Sequence, residues 1–412
     1  MWSVSDHSVA NIHARGKCVI LCCMHTYDTI VIGSGVIGSA AAMHLALRGR
    51  TLLLERFSFL HDQGSSHGGS RIFRHAYEDA MHVRLAVVAD AAWLALEEET
   101  GERLLFRTGG LDIGDAGSLD LRVVKSALDA VGRAPELLTG HEVSARFPAF
   151  ALGEEHEAVY QADAGVLAAG RAVATMQRRA AAEGAVLRDQ EAVVKLEPKV
   201  DGVDVITTLG RYSAGRVVVA AGGWLSKLVS LAGVSLRVQL QQYSYLRTGA
   251  DARRFAMSQM PVFIDRRGNA NGETYGLPVF EVPNAVKVGD HSGVPAPRNG
   301  IDPDDKRLGV DDAWAGRTVA SALALMPHLA GGAVASMTCL YTHTPDGRFV
   351  VDRLQQYPNV IVAGGGSGHA FKFGPVLGEA VADLATVGRS RHDLTAFSLS
   401  RFAPTQLDRA GS

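Results

Sequence analysis

Three glycines, one acid, a pair of arginines, two lysines and a single downstream cysteine carry most of the chemistry in this chain. Gly33, Gly35 and Gly38, in Gly33-Ser34-Gly35-Val36-Ile37-Gly38, have the spacing of a turn that admits a pyrophosphate. The first permits a tight turn, the second lets the backbone approach the ligand, and the third allows a helix to pack closely. A helix opening at Val36 and Ile37 presents free N–H groups and partial positive charge to an anion. Glu55 stands twenty residues after Gly35, where a carboxylate can accept hydrogen bonds from a ribose diol. This combination predicts a dinucleotide site.

Arg71 and Arg74 lie in Gly64-Ser65-Ser66-His67-Gly68-Gly69-Ser70-Arg71-Ile72-Phe73-Arg74-His75-Ala76-Tyr77. A basic surface helix is the plain alternative, but a Gly/Ser-rich, partly apolar run suits such a helix poorly, and arginine matches anionic groups well. Lys372 is bracketed by Phe371 and Phe373 after a glycine-rich segment, an unusual setting for a solvated lysine. Cys339, taken alone, reads as a small buried hydrophobe. Lys287 and His291, in Val286-Lys287-Val288-Gly289-Asp290-His291, are residue types that carry no signal by themselves.

The elements that position these groups are legible in part. Thr29-Ile30-Val31-Ile32 and Thr51-Leu52-Leu53-Leu54-Glu55 read as buried parallel strands, and Ile37, Ala40, Ala41, His44 and Leu45 recur at helical spacing between them, a βαβ unit. Arg216 to Trp224, with Gly222 at its end, and Asn359 to Gly366 read as returns to the same sheet. Leu377, Val381 and Leu384 mark an amphipathic helix after the second return. Gln242 to Leu246 and Val286 to Val288 show strand patterns in another region, and Pro295 to Pro303 reads as a surface loop.

Composition bounds the rest. With 412 residues, 47% hydrophobic and 20% charged, the chain can bury two cores. A net charge of -2 gives no reason to expect nucleic acid or a membrane as partner. The four cysteines, 18, 22, 23 and 339, lack the spacing of a metal site or a disulfide framework, which predicts no metal and a cytoplasmic location. The apolar run from Cys18 to Met24 is too short to cross a bilayer. Residues 1–25 therefore read as a disordered extension, with Met24 as the natural start.

The glycine fingerprint, the Ser-x-His-Gly-x-Ser-Arg-x-x-Arg run ending at Arg74, the segment Cys339-Leu340-Tyr341-Thr342-His343-Thr344-Pro345-Asp346 and Gly368-His369-Ala370-Phe371-Lys372 together resemble the monomeric sarcosine oxidase family, which includes N-methyltryptophan and pipecolate oxidases. The resemblance runs from Tyr27 to Phe402. It implies an α/β protein in which a Rossmann-like FAD-binding domain (26–105, 163–236 and 337–402) is interwoven with a mixed-sheet α+β substrate domain (106–162 and 237–336), followed by a tail, 403–412. It further implies FAD joined to Cys339 through its 8α-methyl carbon and contacted by Gly33, Gly35, Val36, Ile37, Gly38, Glu55, Ser65, Ser70, Arg71, Gly222, Gly368 and Lys372. Arg74 and Lys372 would bind a substrate carboxylate. Tyr275, Tyr341 and His291 would shape the amine site, and Lys287 with Arg71 would serve flavin and oxygen.

The implied activity is oxidation of a small secondary amino acid, sarcosine or another N-methyl amino acid, by dioxygen in a monomer, with N-methyltryptophan or pipecolate as alternative substrates. A flavin dehydrogenase subunit and a non-catalytic flavoprotein are the readings from other classes. The chain departs from the family pattern at Leu240, Gly366 and Ala370, and at His82 and Arg84.

Overall fold

The computed structural model describes residues 25–402 except 232, 268–272, 293–299 and 306–308. The extension before residue 25, the tail 403–412 and most of the loop expected at 295–303 lie outside the described residues.

Strand β1 (His25–Ile32), helix α1 (Val36–Ala46) and strand β2 (Thr51–Leu54) form the expected βαβ unit. β1 pairs in parallel with β2 and with the strand Arg211–Val219, which in turn pairs in parallel with Val360–Gly364. Ile30, Val31, Leu52, Leu53, Val217 and Val218 are fully buried, because layers cover both faces of these strands; this is why each reads as a continuous apolar run. α1 packs between Ala169–Ala182 and Gly374–Thr386, so its burial extends beyond the stripe read from the sequence to Val36, Ala42 and Met43. A Cβ on Gly378 would meet that of Ala40 at 2.4 Å, which explains how the two helices cross so closely.

A second, eight-stranded sheet runs in the order 333–343, 237–247, 285–290, 274–277, 262–265, 110–115, 156–161, 136–139. Its pairs are antiparallel except Val262–Asp265 with Gly110–Asp115. Strand β3 (Ser70–Phe73), Gly165–Ala168 and Leu105–Arg107 make a small third sheet. The chain passes from the first sheet to the second and back twice. The boundary expected at 337 falls inside the strand Ala333–His343, which pairs with Arg237–Arg247 along nearly its whole length. Cys339 and Tyr341 are therefore carried by the second sheet, a correction to their placement with the cofactor domain. Local pattern identifies a strand without naming the sheet it joins.

Among the described residues no helix is long and apolar enough to cross a membrane.

Candidate active site

The turn after β1 is glycine because nothing larger fits. Gly33 has φ +99°, and a Cβ there would lie 2.5 Å from the Ala220 carbonyl oxygen; one on Gly38 would lie 1.8 Å from the Gly33 carbonyl oxygen. Gly38 thus seals α1 against the turn without lining the cavity beyond it, whereas Gly33, Gly35, Val36 and Ile37 line that cavity. Gly35 caps α1 with no side-chain bond, and Ser66 Oγ accepts from the Val36 N–H at 3.1 Å. The helix end faces a cavity of about 660 Å³, within the range of small-molecule sites.

Glu55 accepts hydrogen bonds from the Ser34 N–H and hydroxyl at 2.8 and 2.9 Å and from the Phe57 N–H at 3.0 Å, with His61 at 3.5 Å. Burial works to raise its pKa, but bonds to His61, Phe57 and Ser34 outweigh it and hold the carboxylate below its ordinary value. Gly222, at φ +52°, lines the same end of the cavity.

β3 places Ser70 and Arg71 at the seam between the domains. The Arg71 guanidinium donates to the carbonyls of Ser65, His67 and Ser70, each at 2.7 Å, which orient the group without cancelling its charge. The Ser65 hydroxyl donates to the Leu340 carbonyl, and the Leu340 N–H returns to the Gly64 carbonyl at 3.3 Å. This pair of bonds ties the serine-rich turn to the strand that bears Cys339. Cys339 is buried and lines the cavity. Burial pushes its thiol up, while Arg71 and Lys287 oppose that shift and favour a thiolate.

Lys287 is 4% exposed. Its ammonium donates to Glu281 Oε1 at 3.1 Å and to the Ser70 carbonyl at 3.2 Å, and lies 4.1 Å from the centroid of the Tyr243 ring. Burial and then Arg71 lower its pKa to about 8, against the pull of Glu281.

Arg74 and Lys372, from segments far apart in the chain, meet at Tyr77. Lys372 donates to the Tyr77 hydroxyl at 2.8 Å and to the His369 carbonyl at 3.1 Å; the Arg74 guanidinium lies 4.7 Å from the Tyr77 ring centroid and 3.5 Å from Asp112, and donates to the Ala76 carbonyl. Burial, then the Arg74 charge, drives the Lys372 pKa well below its usual value. His291 sits 3.3 Å from the Tyr341 hydroxyl with its ring 4.6 Å from that of Tyr275. Burial and the charges of Arg74, Lys372 and Arg266 push its pKa down to about 3, so the imidazole is neutral. Gly368, at φ +85°, allows the turn to approach the Tyr341 ring.

All the residues expected at the site except Gly38 line this one cavity. Tyr77, Glu281 and Arg266 are site neighbours that sequence pattern does not assign. Glu281 had a signal, as an acid inside the apolar run Val279-Phe280-Glu281-Val282; Arg266, bonded to Glu78 and Glu273 at 2.7 and 2.8 Å, had none. The departures sort by position. Gly366 and Ala370 compensate each other, since a Cβ on Gly366 would meet that of Ala370 at 2.9 Å. His82 stacks on Tyr77 at 5.0 Å, Arg84 is exposed, and Leu240 packs with Trp224, Val238 and Leu340.

The residues present suit FAD. The glycine turn and the helix end facing the cavity suit a pyrophosphate, Glu55 faces the cavity beside it, and His67 Nε2 and Thr342 Oγ1 are buried on the cavity wall with no protein partner.

Residues 28–384 match the family model described as DAO, FAD dependent oxidoreductase. A monomeric sarcosine oxidase of Streptomyces avermitilis is 35% identical over 92% of this chain and 98% of its own length. An N-methyl-L-tryptophan oxidase of Salmonella arizonae is 32% identical over 92% and 99%. The solved open form of NikD, described as an unusual amino acid oxidase, superposes with a TM-score of 0.81 at 26% identity, covering 91% of this chain and 98% of that one.

Proposed function

The chain belongs to the DAO family of FAD-dependent oxidoreductases, and from that premise we propose that it oxidises a small secondary amino acid, sarcosine or another N-methyl amino acid, to an imine that water hydrolyses to a primary amine and an aldehyde, while dioxygen becomes hydrogen peroxide. The observation that carries this reading is that Arg74 and Lys372, which meet at the buried Tyr77, both line the cavity that Cys339 and Lys287 also line. Bound FAD supplies the two-electron oxidation of the carbon beside nitrogen and the return of those electrons to dioxygen.

The protein's own groups do the rest. Arg74 gives a planar set of donors and Lys372 a compact charge, which together hold a carboxylate in one orientation. Their positive charge also disfavours a protonated amine nearby, so the substrate nitrogen is held toward its free-base form. Neutral His291, with Tyr341 and Tyr275, borders the amine without adding a repelling charge. Cys339 anchors FAD through a thioether, and Arg71 with Lys287 stabilises negative charge that develops at the reacting centre. We further propose a cytoplasmic monomer, in keeping with the cysteine usage and the monomeric relatives.

An anaerobic screen tests this function. Sarcosine or another N-methyl amino acid should bleach the visible absorbance, and air should restore it with formation of peroxide. Absence of bleaching by sarcosine, other N-methyl amino acids, N-methyltryptophan and pipecolate would refute it, and recovery with a protein electron acceptor but not with air would point to a dehydrogenase.

A further inference from the structure

The Lys287 ammonium lines the cavity and is held on its protein side by four groups. Glu281 Oε1 is 3.1 Å away, the Ser70 carbonyl 3.2 Å, Ser70 Oγ 3.4 Å and the Tyr243 ring centroid 4.1 Å. Glu281 is itself fixed, accepting from the Ser70 hydroxyl at 2.8 Å and from Tyr245. The other charged or titratable groups that face Lys287 are Arg71 from β3, His67 from the turn before it, Tyr245 at 5.9 Å from the neighbouring strand Arg237–Arg247, and Cys339 from the strand beyond that one. Arg71 has the same sign as Lys287; His67, with a pKa of about 4 from burial and from the Arg71 and Lys287 charges, is neutral; the Cys339 thiol is pushed up by burial. A buried ammonium beside a guanidinium tends to shed its proton. Among the described residues facing it, Glu281 is the fixed anion that resists this loss. The backbone makes room for that carboxylate at one point: a Cβ on Gly69 would lie 2.0 Å from Glu281 Oε2 and 2.8 Å from Glu281 Cβ.

We propose that Glu281 is a positioning residue that keeps Lys287 charged and aimed into the cavity, and that Gly69 is glycine to let the Glu281 carboxylate reach it. The functional part of this proposal rests on the reading of Lys287 as the cation that serves dioxygen.

Two readouts separate the proposal from that reading. Pulsed acetylation with acetic anhydride across a pH series, followed by mass spectrometry of the Lys287 peptide, measures the fraction of free amine in the whole protein. Glu281→Gln should move the labelling midpoint to lower pH by about one to three pH units, the scale of an opposite charge within hydrogen-bond reach. Glu281→Asp should lie between Glu281→Gln and wild type. Gly69→Ala, which retains every charge but displaces the carboxylate, should move the midpoint in the same direction as Glu281→Gln and carries the test if that variant does not fold. An unmoved midpoint in a folded variant overturns the proposal. In stopped flow, reoxidation of the reduced enzyme should lose rate at correspondingly lower pH while anaerobic reduction by substrate is little changed. A shifted labelling midpoint with an unshifted reoxidation profile supports the hold of Glu281 on Lys287 and sinks the oxygen role of Lys287.

Discussion

Gly368 and Tyr341 meet across the seam between the two large sheets: a Cβ on Gly368 would lie 2.2 Å from Tyr341 Cε2, and the glycine has φ +85°. One residue belongs to the turn that follows the strand Val360–Gly364, the other to the edge strand of the second sheet. Gly368→Ala must therefore strain the backbone and displace the tyrosine. A loss of about 1 to 3 kcal/mol in stability is expected, with a fall in kcat because Tyr341 carries His291 with it. Thermal denaturation and steady-state kinetics on the same preparation check this; an unchanged Tm and kcat would show that the turn yields freely.

Covalent attachment is tested by colour. Acid-precipitated protein should stay yellow, and Cys339→Ser should release its FAD on precipitation or fail to retain it. Colour that passes wholly into the supernatant from the wild type would rule out the thioether.

Removing the charge of Lys287 should separate the two half-reactions. Lys287→Met keeps most of the length, so flavin reoxidation should slow by about a hundredfold, the scale of losing one preorganised electrostatic group, while anaerobic reduction changes little. Equal effects on both halves would assign the lysine to the fold or to FAD binding.

Arg74→Ala or Lys372→Ala should weaken binding of a carboxylate inhibitor by roughly tenfold to a hundredfold, given about 1.5 to 3 kcal/mol for a hydrogen bond to a charged group. Because burial and Arg74 lower the Lys372 pKa, affinity in the wild type should decline as pH rises through that lowered value and the ammonium is lost. Lys372→Met should abolish this limb of the pH profile. A secondary amine without a carboxylate should lose little in either alanine variant; losses equal to those of sarcosine would give these residues a structural role instead.

A buried network away from the site predicts a pH-dependent stability. His75 lies 3.1 Å from Asp90 and 3.3 Å from Asp163, and Arg107 and Arg133 hold the two carboxylates. Burial works to lower the His75 pKa, but Asp163 and Asp90 outweigh it and raise it. The stabilisation from a raised histidine is fully present below its unfolded pKa and is lost as pH rises through the folded one. His75→Gln should therefore cost on the order of 2 kcal/mol at pH 5 to 6, below the value for a fully buried pair because Asp163 is 37% exposed. Denaturation across pH 5 to 9 should show that cost shrinking; a constant cost would mean that packing, and not charge, holds the histidine.

The cofactor end of the site was legible in the sequence because its parts are neighbours along the chain. The glycines, the opening of α1 and Glu55 fall within one βαβ unit, whose strand and helix periods and turn chemistry are local properties. Arg71, Arg74, Cys339 and Lys372 stand out through sequence context and resemblance, and all four line the cavity. Other relations were decided by tertiary structure. The strand carrying Cys339 joins the second sheet, because apolar alternation along one segment does not name the distant strand with which it pairs. Tyr77 became the meeting point of Arg74 and Lys372 through contacts spanning 295 positions in the chain, and Glu281 found Lys287 through a turn between adjacent strands and a glycine in the turn before β3. A residue's type sets what it can bind; the charge it keeps when buried depends on neighbours that folding brings to it.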